Sequence, residues 1–150
     1  MVHVEYAIEV LASQQRVFDA VVDWDHQGEW MLGTKVRATG AGAGGLPGRD
    51  VGGELSAFTG AGPIGFLDTM RITNWDEPHR VDVVHTGRIV RGTGTMIVER
   101  LTEDSSRFVW SEELELPLGI IGRIGWPVVR PMFGAGIRLS LRKFATFAAR

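Results

Sequence analysis

Two groups of ionisable side chains in this 150-residue chain could do chemistry. The first is local. Asp23, Asp25, His26 and Glu29 fall within or beside two tryptophans in VDWDHQGEWM, residues 22–31. Asp25 and Glu29 stand one helical step apart and could aim carboxylate oxygens at one hard cation. A zinc ion would need a second imidazole or a thiolate, and neither is near. Helix mechanics offers the competing account: Asp23 is placed to cap a short helix, and Asp25 to favour its positive end. We read this cluster as scaffold and expect no metal.

The second group is dispersed. In SRFVWSEELEL, Phe108, Trp110 and Leu114 share a strand face with Glu112. In GFLDTMRI, Phe66, Met70 and Ile72 share one with Asp68, and in RVDVVH, Val81 and Val83 share one with His85. Three ionisable groups on otherwise apolar faces are therefore expected at one cavity. A carboxyl or imidazole there must find a partner or change its protonation preference, because an unpaired buried charge is very costly. Polar groups converging in an apolar pocket form the default candidate site. Their chemistry would be acid–base: His85, with Asp68 or Glu112, suits removal of a proton beside a carbonyl and protonation of the oxygen that develops charge. The competing account is a one-residue bulge that turns such a face outward.

Other constellations carry less. GAGAGG, residues 40–45, satisfies G-x-G-x-x-G, but no helix follows it to receive a phosphate, and no P-loop lysine pattern exists. Gly40 to Gly53 reads instead as a hairpin loop at the cavity mouth. The absence of cysteine removes disulfides, thiolate metal sites and cysteine nucleophiles, and fits a reducing cytoplasm. No basic-aromatic pattern supports nucleic-acid binding.

The elements that must position these groups follow from periodicity. Val2, Val4, Tyr6, Ile8 and Val10 alternate with His3, Glu5, Ala7 and Glu9, which predicts a strand with one buried face. Ser13 offers an N-cap to a helix carrying Val17, Phe18, Val21 and Val22, and Trp24 to Met31 suits a second short helix ended by Gly33. Six strand-like segments follow: TKVRAT, GGELSAFT, GFLDTMRITNW, RVDVVHTGRIV, GTMIVERLT and SRFVWSEELEL, separated by turn-forming residues. After Pro117 the pattern is helical, with Phe133, Ile137, Leu141, Phe144 and Ala148 on one face. Pro127 and Pro131 predict a regular helix only from about Pro131, after a looser or kinked segment.

Net charge is −2, but no acid follows Glu115, whereas Arg123, Arg130, Arg138, Arg142, Lys143 and Arg150 do. This basic end suits its own helix dipole; a sharper reading is an anionic membrane surface. Glu5 and Glu9 stand where a signal peptide needs a basic patch and an apolar core, and LPLGIIGRIGWPVV is broken by Arg123, glycines and prolines, so neither export nor a membrane span is expected.

The order β, α, α, six β and a long α, together with RVFDAVVDWDHQGEWM, resembles the helix-grip fold of the START-like, or SRPBCC, superfamily. The likeness is to its polyketide cyclase/dehydrase-like branch: Val17, Phe18, Val21, Asp23, Trp24, Glu29, Trp30 and Met31 stand in that register, and Leu32 and Gly33 replace the branch's frequent proline. The resemblance implies an α+β domain over 1–150, with a curved antiparallel sheet wrapped around a C-terminal helix. It also implies a cavity for a small hydrophobic molecule such as a lipid, polyketide or quinone. The expected lining is Trp30, Phe58, Phe66, Met70, His85, Met96, Trp110, Glu112, Phe133 and Ile137, with Trp126 and Met132 as further inward positions. His85, Asp68 and Glu112 are the catalytic candidates should the protein be a cyclase or dehydratase-type enzyme. A third reading is an interaction module with a packed core. No cofactor, nucleic acid or stable membrane insertion is expected, and a homodimer is admitted.

Overall fold

The alternating stretch at the N-terminus forms β1 (Val2–Val10) in the computed structural model, which describes residues 1–42, 44–45, 47–116 and 119–150. Ala43 and Leu46 of the Gly-rich loop, and Pro117 and Leu118 ahead of the last helix, lie outside the described residues. Helix α1 (Gln14–Val21) follows, and the Ser13 hydroxyl accepts from the Arg16 N–H as its N-cap. Its apolar face, Val17, Phe18 and Val21, is buried.

The second short helix is a 3-10 turn over Trp24–Glu29. Asp23 precedes it without a capping hydrogen bond; its carboxylate is taken instead by His26 Nδ1, at 2.8 Å. The expected cap is thus replaced by a side-chain pair.

The six predicted strands are β2 (Thr34–Gly40), β3 (Glu54–Ala61), β4 (Ile64–Asp76), β5 (Arg80–His85), β6 (Arg91–Thr102) and β7 (Ser105–Glu115). They join β1 in one antiparallel sheet of order β1-β7-β6-β5-β4-β3-β2, so the first strand closes against the last. A bulge between Ile72 and Asn74 shifts the register of β4 on β5. It falls beyond Asp68, Met70 and Ile72, whose shared face is preserved, and it re-aims Trp75 edge-on against Phe18 at 5.4 Å.

The C-terminal helix α2 (Ile120–Ala148) starts eleven residues before Pro131, which corrects the expected late start. Pro127 and Pro131 both lie inside it on the exposed side, where a carbonyl freed by a missing N–H can bond water and the helix can bend outward. The C-terminal half of α2 packs inward as expected: Leu141, Phe144 and Ala148 are buried. In the N-terminal half Ile120, Ile124, Val128 and Met132, one stripe at four-residue steps, face solvent. Trp30, Phe108 and Phe144 form the aromatic heart of the core, with Phe144 4.8 Å from Trp30 and 4.7 Å from Phe108 between ring centres. The expected α+β architecture, a curved seven-stranded antiparallel sheet with a long C-terminal helix, is observed.

Candidate functional site

Between the sheet and α2 lies a cavity of about 410 Å³. The period-2 alternation of the strands builds its floor: Leu55 and Ala57 from β3, Asp68 and Met70 from β4, Val83 and His85 from β5, Gly94 and Met96 from β6, and Trp110, Glu112 and Leu114 from β7. Helix α2 supplies the roof with Met132, Phe133, Gly136, Ile137 and Ser140. Met132 is 76% exposed and so marks the rim. The Ser140 hydroxyl accepts from the Leu32 N–H at 3.1 Å, tying the segment after the 3-10 turn to the roof.

The three dispersed ionisable residues meet. His85 Nδ1 is 2.9 Å from Asp68 Oδ1, and His85 Nε2 is 2.8 Å from Glu112 Oε2. The sheet explains how. In register, β6 runs between β5 and β7, so His85 and Glu112 start about 10 Å apart, two strand spacings. In register, Gly92 of β6 pairs with His85, and Gly94 pairs with Glu112. A Cβ at Gly94 would lie 3.0 Å from Glu112 Oε1 and 3.1 Å from Val83 Cγ2. Gly94 therefore opens the lane in which imidazole and carboxylate touch, while a Cβ at Gly92 would strike the Glu113 carbonyl of β7; the glycines of RGTGTM are a signal that sequence reasoning missed.

Electrostatics follows from enclosure. The side chains of His85, Asp68 and Glu112 are only 3%, 14% and 9% exposed. Burial works against the imidazolium, but hydrogen bonds and charges from Asp68 and Glu112 outweigh it and push His85 from 6.5 up to about 10. Burial pushes the Glu112 carboxyl up, while the bond from His85 and its charge pull it back. The triad is thus a protonated imidazole clamped between two carboxyl groups, able to give a proton on one side and accept one on the other. Its ring nitrogens are both committed, so the three groups surround no common ion. Among the described residues no group of three His, Asp or Glu side chains is arranged to hold a metal.

Phe66, Met70, Met96, Trp110, Phe133 and Ile137 line the cavity with the triad. Trp110 sits between Tyr6 and Phe133, with ring centres 6.4 and 6.3 Å away. Two expected wall residues lie elsewhere. Trp30 is sealed in the aromatic core beneath the cavity end, because helix α2 brings Phe144 onto it. Phe58 alternates with Ala57 and so takes the opposite face of β3, beside Leu67, Lys35 and Arg37. Trp126 contacts Phe133 at 5.8 Å without lining the cavity. No described residue of the loop from Gly40 to Gly53 lines the cavity either. That loop is drawn to the sheet end by Gly52 N–H donating to the Ile72 carbonyl and by Trp24 Nε1 donating to the Gly48 carbonyl at 2.7 Å. Trp24, Gln27 and Met31 do reach the cavity, from the 3-10 turn and the residues just after it. The Oε1 atom of Gln27 is buried there without a hydrogen-bond partner.

The acids and histidine of that segment do not converge. His26 pairs with Asp23 at the surface, and Glu29 lies 3.7 Å from Arg150.

A family model described as polyketide cyclase/dehydrase and lipid transport matches residues 1–148. No curated protein matches the sequence. Among solved structures, a START superfamily protein from Mycobacterium smegmatis is 14% identical, with a TM-score of 0.75 over 97% of this chain and 96% of that one. A protein from Thermus thermophilus is 14% identical, with a TM-score of 0.76 over 98% and 97%. The Zhui aromatase/cyclase from a Streptomyces species is 16% identical, with a TM-score of 0.74 over 98% and 93%. At these identities the likeness is one of fold.

Proposed function

This chain belongs to the polyketide cyclase/dehydrase and lipid transport family, and on that premise we propose that it binds a small hydrophobic molecule between the sheet and α2. The observation that carries this reading is an apolar cavity with one polar end. Its volume of about 410 Å³ falls within the roughly 300–1,000 Å³ of small-molecule sites. Met70, Met96, Trp110, Phe133 and Ile137 supply apolar contact, and the methionines adapt to the ligand's shape. Each methylene taken from water onto such a wall is worth about 0.8 kcal/mol. Asp68 and Glu112, held in place by His85, orient the ligand's polar end. The test is to extract the purified protein for bound small molecules and to titrate lipophilic probes against Trp110 fluorescence. Saturable binding is expected, and its absence for every probe overturns the reading.

The clamped imidazole favours a second reading, catalysis of a cyclase or dehydratase type. One carboxylate of the triad would take a proton from the carbon beside a carbonyl, and the His85 imidazolium would pass one, through the carboxyl group on its other side, to the oxygen that gathers the charge. Replacement His85→Gln keeps a polar group in the lane but removes the transferable proton. It is expected to abolish turnover of an aromatic polyketide substrate while probe binding persists. Unchanged turnover overturns the assignment.

A further inference from the structure

The polar end of the cavity is not chemically neutral ground. No lysine or arginine is among its described lining residues, while two carboxyl groups are. The one positive charge at hand is that of His85, and both its ring nitrogens are already spent on Asp68 and Glu112. It has no N–H left for a ligand. The atoms left over are Asp68 Oδ2 and Glu112 Oε1, which make no hydrogen bond among the described residues. Gln27 adds a buried, unpartnered Oε1 on the same cavity. The amide of Gln27 could turn over and present its NH₂, but the carboxyl groups cannot become cations.

Resting on the binding reading above, we infer that the cavity selects a hydrophobic amine: an apolar body whose ammonium end is received by the free oxygens of Asp68 and Glu112. An ammonium supplies three donors to a group of acceptors and offsets the surplus negative charge. A neutral alcohol or phenol satisfies one acceptor and leaves the charge standing. A carboxylate or phosphate end would bring acceptors to acceptors and a negative charge to two carboxyl groups. Two cations on elements that build the cavity are turned to other work: Arg138 of α2 lies over the Tyr6 ring at 5.4 Å, and Arg91 of β6 lies 3.4 Å from Glu115. The wall thus rewards any apolar body, and the triad sorts ligands by their polar ends.

Decylamine, decanol and decanoate share one chain and differ only at that end. Titrated calorimetrically into the wild-type protein at neutral pH, decylamine is expected to bind about tenfold more tightly than decanol. Decanoate is expected to bind weakest. Combining Asp68→Asn with Glu112→Gln should erase the preference for the amine over decanoate and leave decanol within about threefold. As pH falls and the Glu112 carboxyl, pushed up by burial, takes up a proton earlier than an ordinary glutamate, the amine's advantage should shrink. Decanoate or decanol binding as tightly as decylamine overturns the inference and leaves hydrophobic binding standing. If none of the three binds, the binding reading itself fails. The wild-type series decides between these outcomes even if the double variant does not fold.

Discussion

Two aspartate–histidine pairs among the described residues have nearly the same geometry. His26 and Asp23 meet at 2.8 Å, His85 and Asp68 at 2.9 Å. In both, hydrogen bonding to the aspartate raises the imidazole's affinity for its proton, although at His85 burial opposes it. What separates them is water. The His26 and Asp23 side chains are 59% and 40% exposed, so solvent does for each most of what the partner does. The His85 and Asp68 side chains are 3% and 14% exposed, and there each group depends on its neighbours. Composition and spacing therefore mark where chemistry is available, and enclosure decides where it is compelled.

The sharpest test of that contrast is to truncate each histidine. His85→Ala leaves two buried carboxyl groups facing one another across the lane opened by Gly94. Removing one member of a buried charged group costs about 3–5 kcal/mol, and denaturant unfolding should show a loss of that order. His26→Ala should leave the unfolding midpoint within error of wild type. Equal losses would mean that the two pairs are energetically alike and would break the comparison.

Stability against pH should divide them next. The folded-state pKa of His85, about 10, lies above its unfolded value of 6.5. The folded state thus binds the proton more tightly than the unfolded state does. Its contribution is fully present below about pH 6.5 and is lost as pH rises toward 10. Thermal unfolding midpoints of wild type should fall relative to those of His85→Gln across that interval. The same comparison made with His26→Gln should give a far smaller divergence, because that pair is open to solvent. A wild-type curve parallel to His85→Gln would show that the buried imidazole is not held protonated.

The two clusters are also unequally legible in the sequence. The order of elements is readable, because alternation in β1 and β7 and helical spacing in the last turns of α2 are set by which side chains leave water. The shared faces of Asp68, His85 and Glu112 can be read for the same reason, and the bulge that threatens them falls past Ile72. Their mutual contact cannot be read, since it depends on strand order and on a glycine lane in a third strand. Trp30 and Phe58 are misplaced by sequence reasoning for opposite reasons. The neighbour that buries Trp30 is Phe144, more than a hundred residues away in sequence, and Phe58 sits one step out of phase with its strand's inner face. The early start of α2 is hidden because proline is a strong local signal, and only the fold shows that both prolines face solvent.

That glycine lane gives the finest test of what enclosure does. At Gly94→Ala the new methyl would sit 3.0 Å from Glu112 Oε1 and 3.1 Å from Val83 Cγ2 inside a packed sheet. Crowding of this kind costs about 1–3 kcal/mol, and the lower end is expected here because the Glu112 carboxylate can swing aside. The swing has its own consequence: it lengthens the bond to His85, so the imidazole should titrate at lower pH, which ring-proton NMR follows directly. Gly136→Ala is the control. It adds a methyl to the same cavity from α2, where nothing lies within 4 Å, so it should raise stability by up to about 1 kcal/mol through helix propensity and leave the titration of His85 unmoved. If Gly94→Ala also left the titration unmoved, the contact between His85 and Glu112 would not depend on the lane, and the glycines of β6 would be there for the strand alone.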